Sequence, residues 1–273
     1  MSPFDFAALL FSGPCNARCP FCIGKQIAPA LTPPNLHLYP PRNLEALTEA
    51  IQRYRIPRLV FTGTNTDPQM YAHEARLLRE LRTALPGVHF SLHTNGRLAL
   101  RKMAAFNAYD SVTLSFPAFD EKVYRRTMGV PRPPALERIL RRARIPVKIS
   151  IITTADTLPV LADTLTRLET LGVRRVALRK LYGDARPWER ILPPEVALPV
   201  VGAYRGNPVC AFRGLEVTLW DFAASQSRSL NLFSSGVISK RYLLTEASPR
   251  FPFLWGSQRG RRETSSSRKL TRM

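Results

Sequence analysis

Three cysteines within eight residues constrain this chain more than any other feature. They are Cys15, Cys19 and Cys22, in the run Gly13-Pro14-Cys15-Asn16-Ala17-Arg18-Cys19-Pro20-Phe21-Cys22-Ile23-Gly24-Lys25, with the spacing C-x3-C-x2-C. They directly follow an apolar, strand-like run, Phe6 to Phe11. Soft thiolates this close together select zinc or an iron–sulfur cluster. A [4Fe–4S] site held by protein alone takes four cysteines, and only three are local. That deficit leaves one iron open to a small molecule. Zinc is the competing reading, with Cys210 or His37 as fourth ligand, although zinc ligands usually come as two separated pairs. Four cysteines in 273 residues are too few for a disulfide framework.

The spacing, with the aromatic Phe21 just before the last cysteine, resembles the cluster motif of the radical S-adenosylmethionine (radical SAM) enzymes. The resemblance implies a [4Fe–4S] cluster on Cys15, Cys19 and Cys22, with SAM chelating the fourth iron through its amino and carboxylate groups. It further implies an external one-electron donor of the flavodoxin or ferredoxin type. Reductive cleavage of SAM then gives a 5′-deoxyadenosyl radical that abstracts hydrogen from a substrate.

The 45% hydrophobic content supports a sizeable core, which argues against global disorder. No apolar run approaches a membrane span, and the N-terminus lacks a signal-peptide pattern. A reducing cytoplasm is the expected compartment, and it suits an oxygen-sensitive cluster. Net charge is +20, so RNA is a candidate partner. Solvated helix faces would account for the charge as well: Arg76, Arg79 and Arg82 cluster, as do Arg138, Arg141, Arg142 and Arg144. Only 7 of the 40 basic residues are lysines, a skew that base composition could produce.

Strand-like and helix-like segments alternate. Strands are expected at Phe6–Phe11, Leu59–Phe61, Val88–His93, Ser111–Phe116, Val147–Thr153 and Arg174–Arg179. Helical periodicity covers the Leu44–Tyr54 stripe, with Asn43 as N-cap, then Tyr71–Leu85, Leu98–Asn107, Pro134–Arg144 and Thr157–Leu171. Six β/α units predict a parallel sheet under helices, with strands apolar on both faces. Six are too few for the closed eight-unit barrel. They resemble the partial (β/α)6 TIM-like barrel of many radical SAM enzymes, with a core like that of molybdenum-cofactor biosynthesis protein A. The expected organisation is a core over residues 1–183, a small antiparallel β extension with a hairpin over 184–255, and a disordered basic tail over 256–273.

Sites in parallel α/β sheets lie beyond the carboxyl ends of the strands, where the cysteine loop falls. After the second strand comes Gly63-Thr64-Asn65-Thr66-Asp67-Pro68. Its Gly63 and Pro68 resemble the family's Gly-Gly-Glu-Pro-like segment, which implies that Gly63, Thr64 and Asn65 approach the SAM ammonium. Thr64, Asn65, Asp67 and backbone carbonyls supply oxygen acceptors; an Asp-Pro turn would explain part of the segment equally. His93-Thr94-Asn95-Gly96 resembles the family's Thr-Asn-Gly turn. The resemblance also assigns Ser115 and Arg126 to the methionine part of SAM, since a guanidinium clamps a carboxylate. Ser150 and Arg179 are weaker candidates for ribose and carboxylate contacts. Tyr182, Asp184, Trp188, Trp220 and Asp221 are candidates for the substrate mouth. The expected substrate is a cofactor precursor or a peptide. An RNA-modifying enzyme and a non-catalytic zinc or iron–sulfur module stand as alternatives.

Overall fold

A computed structural model of the protein describes residues 2–242. Six parallel strands run in sequence order: β1 (Phe6–Phe11), β2 (Arg58–Gly63), β3 (His89–Thr94), β4 (Ser111–Ser115), β5 (Val147–Ile152) and β6 (Arg175–Arg179). The connecting helices are α1 (Leu44–Arg53), α2 (Glu74–Ala84), α3 (Met103–Phe106), α4 (Glu121–Met128), α5 (Leu136–Arg142) and α6 (Leu161–Thr170). Parallel neighbours need such crossovers. The result is the expected α/β partial barrel, and the sheet does not close by strand pairing.

Local chemistry accounts for where the elements start and stop. The α2 helix begins at Glu74 rather than Tyr71, because Pro68–Met70 forms a tight 3-10 turn and Tyr71 is extended. Only the last part of Leu98–Asn107 is α-helical. Asn43 holds the expected N-cap position, in the left-handed conformation with φ 59°, but its side chain makes no capping bond; its amide donates instead to the Gly236 carbonyl at 2.9 Å. One further helix, α4, buries Val123, Tyr124, Thr127 and Met128 on one face. Asp120 starts α4 by accepting from the Val123 N–H at 2.8 Å, and Gly129 ends it with φ 65°.

The strands are not apolar on both faces. Alternate residues such as Leu59, Phe61, Leu92, Leu114, Ile149, Ile151 and Leu178 face outward into one core. Helix stripes cover them, among them Leu47 and Ile51, Leu77 and Leu81, and Leu161, Leu165 and Leu168. The inward residues are largely polar: Thr62, His93, Thr113, Ser115, Ser150 and Arg179 line a cavity. Parallel strands are apolar on both sides only when both sides pack against protein. Here one side faces the cavity.

Residues 184–242 were expected to form an antiparallel cap. They extend the same sheet at both edges. Beyond β6, β9 (Leu215–Trp220) pairs parallel, then β8 (Asn207–Phe212) and β7 (Val200–Tyr204) pair antiparallel. At the other edge β10 (Ser229–Leu232) pairs parallel with β1, and β11 (Ile238–Ser239) completes the expected hairpin. Two contacts span the gap between the edges. The Arg205 guanidinium in the β7–β8 turn meets the Asp5 carboxylate at 2.5 Å. Phe222 after β9 packs edge-on against Tyr182 and Tyr242, with ring centroids 5.4 and 6.3 Å away. The expected tail, 256–273, lies outside the described residues.

Ile149 is fully buried between sheet and helices. Ile149→Ala should therefore cost about 2–5 kcal/mol of unfolding free energy, read as a lower urea midpoint with an unchanged slope.

Candidate active site

The cavity opens at the carboxyl ends of the strands and has a volume of about 350 Å³, within the range of small-molecule sites. Cys15, Cys19 and Cys22 line one wall, with Phe21 beside them. Cys19 Sγ stands 3.7 Å from Met128 Sδ, and Cys22 Sγ 3.8 Å from the Thr64 carbonyl. Burial pushes the Cys19 thiol up to about 11, and the neighbouring Cys22 and Cys15 add to the shift. Burial likewise raises Cys15. Thiols held this way favour the proton unless a cationic metal replaces it.

Among the described residues, no three His, Cys, Asp or Glu side chains converge as a ligand set for one ion. A single zinc would need them about 3.8 Å apart, given Zn–S bonds of about 2.3 Å in a tetrahedron. Thiolates bound to three different irons of a cluster stand further apart than that. The candidate fourth zinc ligands are elsewhere. Cys210 is buried in the outer core on β8, and His37 is exposed.

A polar network fixes the cysteine loop to its neighbours. The Asp67 carboxylate is buried. It accepts from the Asn95 N–H at 2.6 Å, the Gln69 N–H at 2.9 Å and the Thr94 hydroxyl at 2.8 Å. Burial pushes its pKa up, and these donors oppose the shift. Asn95 in turn donates to the Asn16 side chain at 2.7 Å. Asn65 Oδ1 accepts from the Ser12 hydroxyl at 2.9 Å and the Gly13 N–H at 3.1 Å. The loops after β1, β2 and β3 thus form one hydrogen-bonded unit.

Close backbone approach adds to it. A Cβ on Gly24 would lie 1.9 Å from the Thr64 carbonyl oxygen, and one on Gly63 would lie 1.7 Å from that of Thr66. Both positions exclude every other residue without backbone movement.

Gly63, Thr64, Asn65 and Ser115 line the cavity, as expected. The Thr64 hydroxyl, however, donates to the Phe11 carbonyl at 3.0 Å, and the Asn65 oxygen is already engaged. Backbone carbonyls in this segment are therefore the freer acceptors for an ammonium. Arg126 is not brought into the cavity. It sits on the exposed side of α4, opposite the buried Val123, Tyr124 and Thr127, and pairs with Asp156 at 3.0 Å. His93, Ser150 and Arg179 do line the cavity.

Of the residues assigned to the mouth, Tyr182 and Trp220 line it, together with Phe222. Asp184 is paired with Arg186, Trp188 is buried, and Asp221 pairs with Lys180 at 2.9 Å. Lys148 was missed. Its signal was a lysine inside the apolar run Val147–Thr153. On β5 it pairs with Thr113 of β4, a cavity-lining residue, and with Arg175 of β6. Burial drives its pKa down to about 8, and Arg179 adds to this. Burial, then Arg179, Lys148 and Arg58, lower His93 to about 3, leaving a neutral imidazole.

An open parallel α/β barrel that carries three thiols on the loop after its first strand defines a class of cluster-dependent enzymes. A family model described as the radical SAM superfamily matches residues 9–161, more than half of the chain. The chain belongs to that superfamily, is an enzyme of it, and uses its cofactors, a [4Fe–4S] cluster and SAM. The structure resembles SuiB of Streptococcus suis bound to S-adenosylmethionine: 15% identity, TM-score 0.52, covering 68% of this chain and 41% of that one. A second SuiB structure gives 15% identity and a TM-score of 0.51, covering 67% and 41%. Coproporphyrinogen III oxidase (HemN) from Escherichia coli, described as a radical SAM enzyme, has 17% identity and a TM-score of 0.41, covering 70% and 48%. The aligned part spans less than half of these solved chains. No curated protein matches the sequence. No helix among the described residues is long and apolar enough to cross a membrane.

Two outcomes follow from this geometry. Gly24→Ala should lower bound iron per chain after anaerobic reconstitution by at least half, with the far-UV circular dichroism retained. Lys148→Met should stabilise the protein at pH 7. A lysine whose folded pKa lies below its unfolded value carries its full burial cost while both states are protonated, below about pH 8. Above that the unfolded chain binds more protons, so stability rises with pH. The variant should gain about 2–3 kcal/mol at pH 7, and urea titrations should show this advantage shrinking between pH 8 and 10.5.

Proposed function

We propose that this enzyme cleaves SAM reductively and uses the radical to take hydrogen from a small-molecule or peptide substrate held against the β6–β9 wall of the cavity. The observation that carries the reading is the placement of three cysteines, short of one ligand, in the same cavity as Gly63 and Ser115. Cys15, Cys19 and Cys22 would hold the cluster. When bound, the cluster and SAM supply the electron transfer and the hydrogen-abstracting radical.

The chain's own residues position these groups and exclude water. Backbone carbonyls of the Gly63–Asn65 segment face the ammonium, Phe21 covers the cluster side, and Ser115 offers a hydroxyl to the methionine part. Arg126, already paired with Asp156, has no part in this set. Tyr182, Trp220 and Phe222 form an apolar mouth that limits solvent access. A flavodoxin- or ferredoxin-type donor would supply the electron, and a reducing cytoplasm is the proposed compartment.

The RNA-modifying alternative draws on the +20 charge. That excess remains after every acid is counted, but the helix-face arginines Arg76, Arg82 and Arg141 are not among the residues that line the cavity, whose β6–β9 wall carries Tyr182, Trp220 and Phe222. Small-molecule or peptide chemistry is therefore preferred. Retention of tRNA by the anaerobic protein at moderate salt would reverse that preference.

Reconstituted protein with dithionite should hold about four irons per chain and turn SAM into 5′-deoxyadenosine and methionine. Cys19→Ser should abolish the reaction. Ser115→Ala should weaken SAM binding about 5–10-fold, equivalent to about 1 kcal/mol for one lost hydrogen bond. Arg126→Gln should change it less than twofold. Normal turnover in Cys19→Ser would refute the reading.

A further inference from the structure

The cavity has a cationic floor that the cluster and SAM contacts leave unused. Arg179, at the carboxyl end of β6, faces the cavity, and its Nε is buried without a hydrogen-bond partner. No ion pair among the described residues includes it. Its guanidinium lies 5.7 Å from the Trp220 ring centroid. Lys148 is on the same inward face of the neighbouring strand but beneath the cavity lining, four residues toward the amino end from Ile152, the partner of Arg179. It too has no ion pair among the described residues.

The acids nearby are taken. Asp221 holds Lys180, and Glu216, half exposed on β9, lies 3.6 Å from Arg175. Asp67 belongs to the β2–β3 network on the opposite side. His93, facing the same space, is held neutral by its burial and these cations, so it adds a hydrogen-bonding group without charge.

A guanidinium whose Nε is buried and unpaired, with a half-buried ammonium in the layer beneath it and only Glu216 acting on that ammonium, is unfavourable in the free protein. A guanidinium offers five donors in a planar fork that matches carboxylate or phosphate oxygens. Position separates this feature from the cluster. The thiols and Gly63–Asn65 follow β1 and β2, whereas Arg179 and Trp220 are on β6 and β9, at the other end of the strand order.

We propose that Arg179 is the receptor for an oxyanion, a carboxylate or phosphate, carried by the substrate, with Lys148 adding positive charge from the layer beneath and Trp220 packing against the adjoining part of that substrate. The assignment rests on the radical SAM reading above only for which molecule is the substrate. It names the substrate as acidic and orients its charged end toward the barrel floor, with the reacting carbon toward the cysteine wall.

The experiment uses the anaerobically reconstituted full chain, with inorganic phosphate and succinate as probes at constant ionic strength. Thermal melting and isothermal titration are run with and without saturating SAM. Wild-type protein should bind at least one probe saturably. Arg179→Gln should weaken that binding at least tenfold and Lys148→Met at least threefold, both with equal or higher melting temperatures. Arg138→Gln, an exposed control on α5, should not alter it. SAM affinity should change less than threefold in Arg179→Gln.

Four results would overturn the proposal. Neither probe binds wild-type protein. Binding is unchanged in Arg179→Gln, which would locate it on the basic surface. Arg179→Gln melts markedly lower, which would make the residue structural. The probe competes with SAM and Arg179→Gln loses SAM, which would assign the cation to the SAM carboxylate. Failure of wild-type protein to form 5′-deoxyadenosine would count against the radical reading alone, since probe binding is measured without turnover.

Discussion

The buried carboxylate of Asp67 is the constraint on which the catalytic end depends. Three donors from two segments converge on it, and through Asn95 and Asn16 its influence reaches the cysteine loop. A buried carboxylate is tolerated only when its lone pairs are met. Any arrangement of the three loops that leaves Asp67 unmet is therefore costly, and this selects one loop geometry. The close passages at Gly24 and Gly63 use that geometry and leave no room for side chains.

The barrel wall separates two chemistries. Outward strand residues and helix stripes make an apolar core of ordinary kind. Inward residues are polar, and two of them, Arg179 and Lys148, are half-buried cations with no ion pair among the described residues. Such groups reduce stability in the free protein, and stability lost at a site is commonly the counterpart of binding there. The oxyanion proposal gives that loss a function, and it matches the absence of any free acid among the described residues of the β6–β9 wall.

Much of the fold was legible because its signals are local and periodic. The stripes Leu77, Leu81 and Leu161, Leu165, Leu168, and the six apolar strand runs, follow directly from burial on one helix face or one sheet side. The cysteine loop was legible because thiols spaced this closely in a chain with so few cysteines serve metal binding above all. Less visible were α4, whose Asp120 cap and Gly129 stop enclose only eight residues, so that its Val123, Tyr124, Thr127 and Met128 face spans barely two turns, and the inward polarity of the strands. Alternation shows only that two faces differ, not which one meets solvent or ligand. Arg126 shows the same limit: its chemistry suited a carboxylate, but the turn of α4 directs it to Asp156.

By itself the sequence determined the cofactor class and the β/α order, since both reside in short-range spacing. Three thiols in C-x3-C-x2-C and six alternating units need no long-range information. Only the tertiary structure decided the placement of residues 184–242 at both edges of one sheet, because strand pairing between Phe6 and Ser229 joins residues far apart in the chain. It alone also decided that Lys148 and Arg179 share one interior. That depends on strand register and on the inward face of the pleat, neither of which is written in any local window. The three cysteines point to the chemistry, and the register of β5 against β6 turns Lys148 and Arg179 to the inward face.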